Sequence, residues 1–217
     1  MRDGRPIRLV VLVSGGGTTL QNLIEEIEEG ALSAEIACVV SSRPDAYGLE
    51  RAKAAGIPTR VVDRKAFRGD AGGFSREINR VLAEFAPDLV IFGGFLSKVK
   101  LDPRWRWRVM NIHPALLPRF GGKGYWGHRV HEAVIASGVR FSGCTVHFVD
   151  DEYDHGPIIL QAVVPVAPDD TPESLAARVF EKECELYPEA IRLFAAGRLK
   201  VEGERVRILP EPEGARG

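Results

Sequence analysis

Short apolar runs, rich in valine and isoleucine, constrain this sequence more than any other feature. They lie at residues 7–13, 36–40, 89–92 and 109–112, and three of the intervals between them carry helical periodicity. Strands that are apolar throughout are typical of a parallel sheet whose two faces are covered by helices. The sequence therefore predicts an α/β fold with a doubly wound, mostly parallel central sheet and helices on both faces.

The first three predicted helices have recognisable boundaries. Thr18 or Thr19 can cap the first helix, and Gly30 can end it. Residues 47–55 form the second predicted helix. The third has apolar residues at 74, 78, 81, 82 and 85 on one face and ends before Pro87.

The second half of the sequence has a looser pattern. A short helix is predicted at 128–137, and two further strands at 145–149 and 158–166. Thr171 is the predicted cap of a long helix that begins at Pro172 and runs to about Ala195. The segment from Pro210 onward is rich in proline, glutamate and glycine, and we expect residues 210–217 to form a flexible tail.

Composition narrows the classes of function. With 217 residues and 45% hydrophobic content, we expect one domain with a core from about residue 7 to 201. A net charge of −1 provides no general electrostatic attraction for nucleic acid or for a membrane surface, so small molecules are the expected partners. We expect the protein to be a monomer or a homodimer.

Three widely spaced cysteines favour neither a disulfide framework nor a zinc site, and a cytoplasmic location is expected. The N-terminal apolar run is too short for a signal sequence or a membrane span.

Asn111 and His113 stand two residues apart at the end of the fourth run. Side chains at this spacing point to the same face of a strand, so an amide and an imidazole leave the sheet together. They can serve an active site or simply satisfy loose backbone groups. The acidic stretch at 150–156 follows another predicted strand, and a carboxylate from it next to His113 would raise the imidazole pKa.

A glycine-rich turn, Gly15-Gly16-Gly17, joins the first strand to the first helix. Such a turn brings backbone N–H groups close to an anion, and the helix N-terminus adds further donors and a positive dipole. The turn lacks the lysine of the Walker motif and the full dinucleotide spacing, so a phosphomonoester is favoured. Tight packing alone also demands glycine at such a turn.

Glu183 falls on the apolar stripe of the long helix, between Val179 and Leu186. Carboxylates rarely lie unpaired on such a face. Glu183 can form an ion pair at the edge of the stripe, or it can accept hydrogen bonds from the hydroxyl groups of a ligand.

Five segments taken together resemble the phosphoribosylglycinamide formyltransferase family of folate-dependent enzymes. They are residues 13–21 (VSGGGTTLQ), 46–52 (AYGLERA), 110–118 (MNIHPALLP), 143–149 (GCTVHFV) and 154–161 (DHGPIILQ). The resemblance is in order along residues 7–201 and implies a Rossmann-like formyltransferase fold. It also implies transfer of a formyl group from 10-formyltetrahydrofolate, as co-substrate and without a metal, to the amine of glycinamide ribonucleotide in purine biosynthesis. The products would be formylglycinamide ribonucleotide and tetrahydrofolate.

The resemblance also implies roles for individual residues. Asn111 would stabilise the oxyanion, protonated His113 would assist it, and Asp154 would keep His113 protonated and help to relay a proton. The ribonucleotide would be bound by Gly17, Thr18, Thr19 and Glu183, and folate by Leu96, Ser97, Lys98 and Val99 together with Asn111 and Asp154. Thr145 and His147 would support the site, although His147 fits a core-edge position equally well.

Two features depart from the family pattern. The 120–127 loop is longer than in some members, and His155 stands next to the aspartate where some members have glycine, so it could perturb the local pKa values. Some members also carry an arginine near the folate glutamate tail, and Arg68 is the candidate for that position in this sequence.

Three alternatives stay open. Formyltetrahydrofolate deformylase is expected to carry an additional N-terminal domain, and methionyl-tRNA formyltransferase a C-terminal RNA-binding domain. The third alternative is a non-catalytic phosphate-binding module, which would use the glycine-rich turn alone.

Overall fold

A computed structural model describes residues 5–211, and these residues form one nine-stranded sheet with helices on its faces. The strands are Ile7–Val13 (β1), Ala34–Ser41 (β2), Thr59–Val61 (β3), Leu89–Phe92 (β4), Val109–His113 (β5), Phe141–Phe148 (β6), Ile158–Pro165 (β7), Leu199–Glu202 (β8) and Arg205–Ile208 (β9). The α-helices are Thr18–Glu28 (α1), Gly48–Ala54 (α2), Ala71–Phe85 (α3), His128–Ala136 (α4) and Pro172–Ala195 (α5). Short 3₁₀ turns occur at Arg64–Phe67 and Pro103–Trp105.

The strand order across the sheet is β3-β2-β1-β4-β5-β6-β7-β9-β8. The five strands from β3 to β5 are parallel, whereas β6 is antiparallel to both β5 and β7. The chain moves outward from β1 to β3 and then returns to place β4 on the other side of β1. This reversal makes the carboxyl ends of β1 and β4 a topological switch point, where α/β proteins bind ligands.

Hydrophobic clusters on the two faces of the sheet explain the uninterrupted apolar runs. Leu9, Val11 and Val13 of β1 join the cluster that includes α1 and α5, whereas Val10 and Leu12 join the cluster that includes α3. Successive strand residues point to opposite faces, so a strand covered on both sides has no exposed position for a polar side chain. The predicted doubly wound fold is confirmed.

The long helix α5 begins and ends where the sequence predicted. Thr171 is its N-cap and accepts a hydrogen bond from the Ser174 N–H, while Ser174 bonds back to the cap residue. Pro172 occupies the first turn, where its missing N–H costs nothing. No helix in the described part of the chain is long and apolar enough to cross a membrane.

The predicted cap of α1 is wrong. Gly17 is the N-cap, in a left-handed conformation with φ of 71°, and neither Thr18 nor Thr19 caps the helix because both lie inside its first turn. A Cβ atom on Gly17 would lie 2.7 Å from Gly48 Cα, so close packing of the turn on α2 also requires glycine.

Several boundaries also differ from the prediction. Strands β3, β8 and β9 were not predicted because they are three or four residues long and largely exposed. Strand β6 begins at Phe141 rather than at residue 145, because Ser142 and Gly143 interrupt its apolar pattern. Most of the predicted 210–217 tail lies outside the described residues.

Candidate active site

A cleft of about 680 Å³ opens at the switch point of the sheet. Its lining comes from the start of α1, the segment after β4, the end of β5, the 122–127 loop, α4 and α5. It brings together most of the predicted site residues, and those that line it are Thr18, Thr19, Leu96, Asn111, His113, Asp154 and Glu183.

Asn111 and His113 lie on the same face of β5 and both reach Asp154. The amide nitrogen of Asn111 lies 3.3 Å from Asp154 Oδ1, and His113 Nδ1 lies 3.4 Å from Asp154 Oδ2. His113 Nε2 is 2.7 Å from the carbonyl oxygen of Phe120, so this nitrogen carries a hydrogen and donates it. The predicted amide, imidazole and carboxylate therefore form one cluster.

Asp154 is the carboxylate of the acidic 150–156 stretch that lies next to Asn111 and His113. It adopts a left-handed backbone conformation with φ of 52°, which is unusual for a non-glycine residue. Its Oδ2 accepts a hydrogen bond of 2.9 Å from the Gly122 N–H. Burial raises the pKa of Asp154, but the His147 and His113 imidazoles and the Gly122 N–H together hold it below its ordinary value. Asp154 is therefore ionised near neutral pH.

The pKa of His113 is shifted in the opposite direction to the prediction. The side chain is buried, with 3% exposure, and burial lowers the pKa more than the Asp154 carboxylate raises it. The Asp154 carboxylate therefore raises the His113 pKa as expected, but its effect is smaller than that of burial. The sequence indicated that a carboxylate would lie next to His113. It did not indicate how deeply the His113 side chain is buried, because burial depends on packing.

Strand β6 supports the cluster from its neighbouring position in the sheet. His147 pairs in register with Asn111, and Thr145 pairs with His113. His147 Nδ1 donates to the Phe148 carbonyl at 2.8 Å, and its Nε2 lies 3.2 Å from the Asn111 amide nitrogen and 3.7 Å from Asp154 Oδ1. The Thr145 hydroxyl donates to the Ala115 carbonyl and accepts a hydrogen bond from the Leu117 N–H. These two bonds fix the chain that follows β5.

The glycine-rich turn leads directly into Thr18 and Thr19, which line the cleft, whereas Gly17 itself is not among the lining residues. Gly15 accepts a hydrogen bond from the Gly48 N–H, and the Arg51 side chain donates to the Gly16 carbonyl at 2.9 Å. These bonds fix the turn against α2 and place a guanidinium next to it. The N-terminus of α1 then presents backbone N–H groups and a positive dipole near Thr18 and Thr19.

Glu183 lines the cleft from α5 and is half-buried. Desolvation raises the pKa of this carboxyl group to about 8. Within residues 5–211 no arginine or lysine forms an ion pair with it, so the ion-pair interpretation is not supported, and the ligand-binding interpretation stays a prediction.

The 96–99 segment follows β4 and is divided between the cleft and a neighbouring pocket. Leu96 lines the main cleft, while Ser97, Lys98 and Val99 line a smaller adjoining pocket. That pocket is also lined by Asn111, Asp154 and the 149–153 segment. The Leu96 N–H donates to the buried Ser14 hydroxyl, which anchors the segment to the end of β1.

Sequence reasoning missed the contribution of the 122–127 loop and of α4. The loop lines the cleft through Lys123, Tyr125 and Trp126, and α4 does so through His128 and His131. Neither this loop nor a histidine on a short helix matched a binding motif that the sequence analysis recognised.

His155 stands next to Asp154 in the sequence, where it could perturb the local pKa values. It hydrogen-bonds to Asp150 at 2.7 Å, and this carboxylate raises the pKa of His155.

Comparison with known proteins gives consistent matches. The sequence model of the family described as "Formyl transferase" matches residues 7–191. The chain is 40% identical to "Phosphoribosylglycinamide formyltransferase" of Haemophilus influenzae over 90% of each chain. It is 42% identical to "Trifunctional purine biosynthetic protein adenosine-3" of Gallus gallus, over 93% of this chain but only 20% of that protein. The crystal structure of "glycinamide ribonucleotide transformylase 1" from Symbiobacterium toebii superimposes with a TM-score of 0.86 at 44% identity, covering 96% of each chain.

Proposed function

The chain belongs to the formyl transferase family, and from that membership we infer that it transfers a formyl group from 10-formyltetrahydrofolate to the amine of glycinamide ribonucleotide. The reaction gives formylglycinamide ribonucleotide and tetrahydrofolate, a step of purine biosynthesis. The relatives of 40% identity or more described above bear the names of transferases or of a purine biosynthetic protein, so deformylation is not favoured. The cytoplasmic location expected from the cysteine pattern belongs to the same proposal.

One observation supports this proposal: Asn111 and Asp154 of the Asn111–His113–Asp154 cluster line both the main cleft and the smaller adjoining pocket. We assign the acceptor to the main cleft, which Thr18, Thr19 and Glu183 line, and the pterin ring of the donor to the adjoining pocket, which Ser97, Lys98 and Val99 line. A transferase needs such an arrangement because donor and acceptor must meet at one reacting centre. A phosphate-binding module would need only the first subsite.

On the acceptor side, the phosphate of the ribonucleotide would bind at Gly17, Thr18 and Thr19. The N-terminus of α1 and the nearby Arg51 guanidinium supply complementary charge. Glu183 would bind the ribose hydroxyls, which can donate to its carboxyl oxygens. The amine at the far end of the ligand would then lie near His113.

On the donor side, the pterin ring of folate would bind between the 96–99 and 149–154 segments, with Asn111 and Asp154 at its inner edge. The polar edge of the ring would form hydrogen bonds with backbone groups of Leu96, Ser97, Lys98 and Val99. Arg64 lines an adjoining groove together with Ser97 and Lys98. Arg68, the candidate contact for the folate glutamate tail, is exposed at the end of a 3₁₀ turn.

In the proposed reaction the amine attacks the formyl carbon directly, and the carbonyl oxygen becomes an oxyanion. The Asn111 N–H would stabilise it, in competition with the long bond of 3.3 Å to Asp154. His113 would assist once the formyl oxygen displaces the Phe120 carbonyl from Nε2. The ionised Asp154 would take the proton from the attacking amine and pass it to the leaving nitrogen of tetrahydrofolate as the oxyanion collapses and the bond from the formyl carbon to that nitrogen breaks.

A folate absorbance assay tests the function. The purified protein is mixed with 10-formyltetrahydrofolate in the presence and absence of glycinamide ribonucleotide. Turnover that requires the ribonucleotide supports the transferase. Loss of the formyl group without the acceptor would indicate a deformylase, and no reaction in either mixture would leave only a binding module.

A further inference from the structure

His131 is a buried polar residue for which the proposed reaction has no role. It lies on α4, and its side chain is only 5% exposed. Its Nδ1 atom is enclosed and has no hydrogen-bond partner in the described part of the chain. Most buried polar atoms in proteins are paired, so an unpaired histidine inside a ligand cleft needs an explanation.

The two ring nitrogens of His131 have different surroundings. The side chain borders the cleft, and Nδ1 is its enclosed nitrogen, so Nε2 is the polar atom that a bound molecule can reach. A hydrogen on Nδ1 would be a buried donor without an acceptor, whereas a hydrogen on Nε2 can bond to water or to a ligand. The favoured tautomer therefore carries its hydrogen on Nε2 and presents a donor to the cleft.

The ring is uncharged under ordinary conditions. Burial lowers the pKa of His131 to about 4, and the nearby His128 and His113 contribute to this decrease. A neutral imidazole in this tautomer offers one N–H donor and no positive charge. It suits a neutral oxygen acceptor such as a hydroxyl, ether or amide oxygen.

The position of α4 indicates which substrate the donor meets. Helix α4 packs against α5, which carries Glu183, and the cleft between them continues to Thr18 and Thr19. Ser97, Lys98 and Val99 line the smaller adjoining pocket, which His131 does not border. His131 therefore faces the acceptor side of the site.

We propose that the Nε2–H group of His131 donates a hydrogen bond to a neutral oxygen of glycinamide ribonucleotide and thereby selects and positions the acceptor. This inference rests on the proposed function. It makes His131 a binding residue for the acceptor with no part in proton transfer.

Two variants test the proposal. His131→Phe retains a ring of similar size without the donor, and His131→Gln retains an N–H near the position of Nε2. Calorimetric titration would measure binding of glycinamide ribonucleotide and of tetrahydrofolate to each full-length variant. The Phe variant should bind the ribonucleotide about 3- to 10-fold more weakly, with a matching rise in KM, because it lacks one neutral hydrogen bond. Its kcat and its affinity for tetrahydrofolate should change by less than about 2-fold, and the Gln variant should recover most of the lost affinity.

Three outcomes would overturn the proposal: unchanged ribonucleotide binding by the Phe variant, an equal loss of folate affinity, or equal losses in both variants. If the Phe variant does not fold, ¹⁵N spectra of histidine in the wild-type protein decide instead. They should show His131 in the Nε2–H tautomer and a changed Nε2 resonance on saturation with the ribonucleotide, and an unchanged resonance would contradict the proposal. A wild-type protein that neither binds nor formylates the ribonucleotide would instead remove the proposed function, so the two failures are distinguishable.

Discussion

At the scale of single residues, burial and neighbouring charges together set the pKa values of the ionisable groups of the cleft. Asp154 has three polar neighbours that stabilise its charge, so its pKa falls although it is buried. His113, which is buried, and Glu183, which is half-buried, are desolvated with too little compensation, so the pKa of each shifts toward its neutral form. The same cleft therefore holds an ionised carboxylate, a predominantly neutral imidazole and a carboxyl group that stays protonated at neutral pH.

Replacing His113 by asparagine should abolish most of the activity without unfolding the protein. The shorter amide cannot span from Asp154 to the formyl oxygen, so we expect kcat to fall by about 10²- to 10⁴-fold. Ribonucleotide affinity should change little because Gly17, Thr18 and Glu183 form that proposed subsite. Steady-state kinetics and calorimetric binding test this, and near-normal turnover would exclude the assigned role.

Replacing Glu183 by glutamine should stabilise the protein at alkaline pH. The folded state holds this proton up to about pH 8, whereas the unfolded chain releases it near 4.5, so wild-type stability is lost as the pH rises through this window. Glu183→Gln removes that loss, and its advantage should be near zero at about pH 4 and about 1–3 kcal/mol at about pH 9. Urea unfolding across this range measures it.

The control for this prediction is Glu181→Gln on the exposed face of α5, which should follow the wild-type pH dependence. Parallel stability curves for Glu183→Gln and the wild type would contradict the raised pKa of Glu183.

At the scale of elements, the site depends on how the segments after the strand ends are held. The turn after β1 is held by α2 through bonds to the Gly15 and Gly16 carbonyls. The segment after β4 is anchored by Ser14, and the chain after β5 is anchored by Thr145 of the neighbouring strand. Each connection is fixed by a different element, so the cleft is largely formed before a ligand binds.

The turn between β1 and α1 provides a matched pair of glycine variants. Gly17→Ala forces a left-handed alanine and places its Cβ against Gly48 Cα, so we expect a loss of about 2–4 kcal/mol in the free energy of unfolding. Gly16→Ala meets no atom within 4 Å and should cost less than about 1 kcal/mol. Chemical denaturation compares the two, and equal losses would show that the turn does not need its left-handed glycine.

At the scale of the whole molecule, α5 links the sheet to the cleft. Its Tyr187 is fully buried and donates its hydroxyl hydrogen between the carbonyl oxygens of Phe92 and Met110, at 3.2 and 2.8 Å. These carbonyls belong to β4 and β5, the strands that lead to the 96–99 segment and to Asn111. One side chain thus connects the helix that carries Glu183 to strands β4 and β5.

Tyr187→Phe should lower both stability and activity. It leaves two buried carbonyl oxygens without this donor, so the free energy of unfolding should fall by about 1–3 kcal/mol. We also expect a higher KM for the ribonucleotide because α5 is less firmly held. Denaturation and steady-state kinetics test both effects, and a variant as stable as the wild type would show that the hydroxyl makes no net contribution.

Local patterns determined much of this protein. Strand periodicity predicted the parallel sheet and placed Asn111 and His113 on one face, and the Thr171-Pro172 signal and the apolar stripe gave both ends of α5. These features depend on neighbours a few residues apart, which the sequence displays directly. The choice of Asp154 among the acidic residues came from the family resemblance, because spacing alone did not distinguish among them.

Tertiary structure alone decided what depends on contacts between distant segments. It set the left-handed conformation of Asp154, the downward pKa shift of His113 and the position of His131 beside α5. Asp154 and His113 are 41 positions apart, and the burial that governs the His113 pKa is created by elements from both halves of the chain. Desolvation and charge depend on the distances that packing establishes, so no local pattern in the sequence records them.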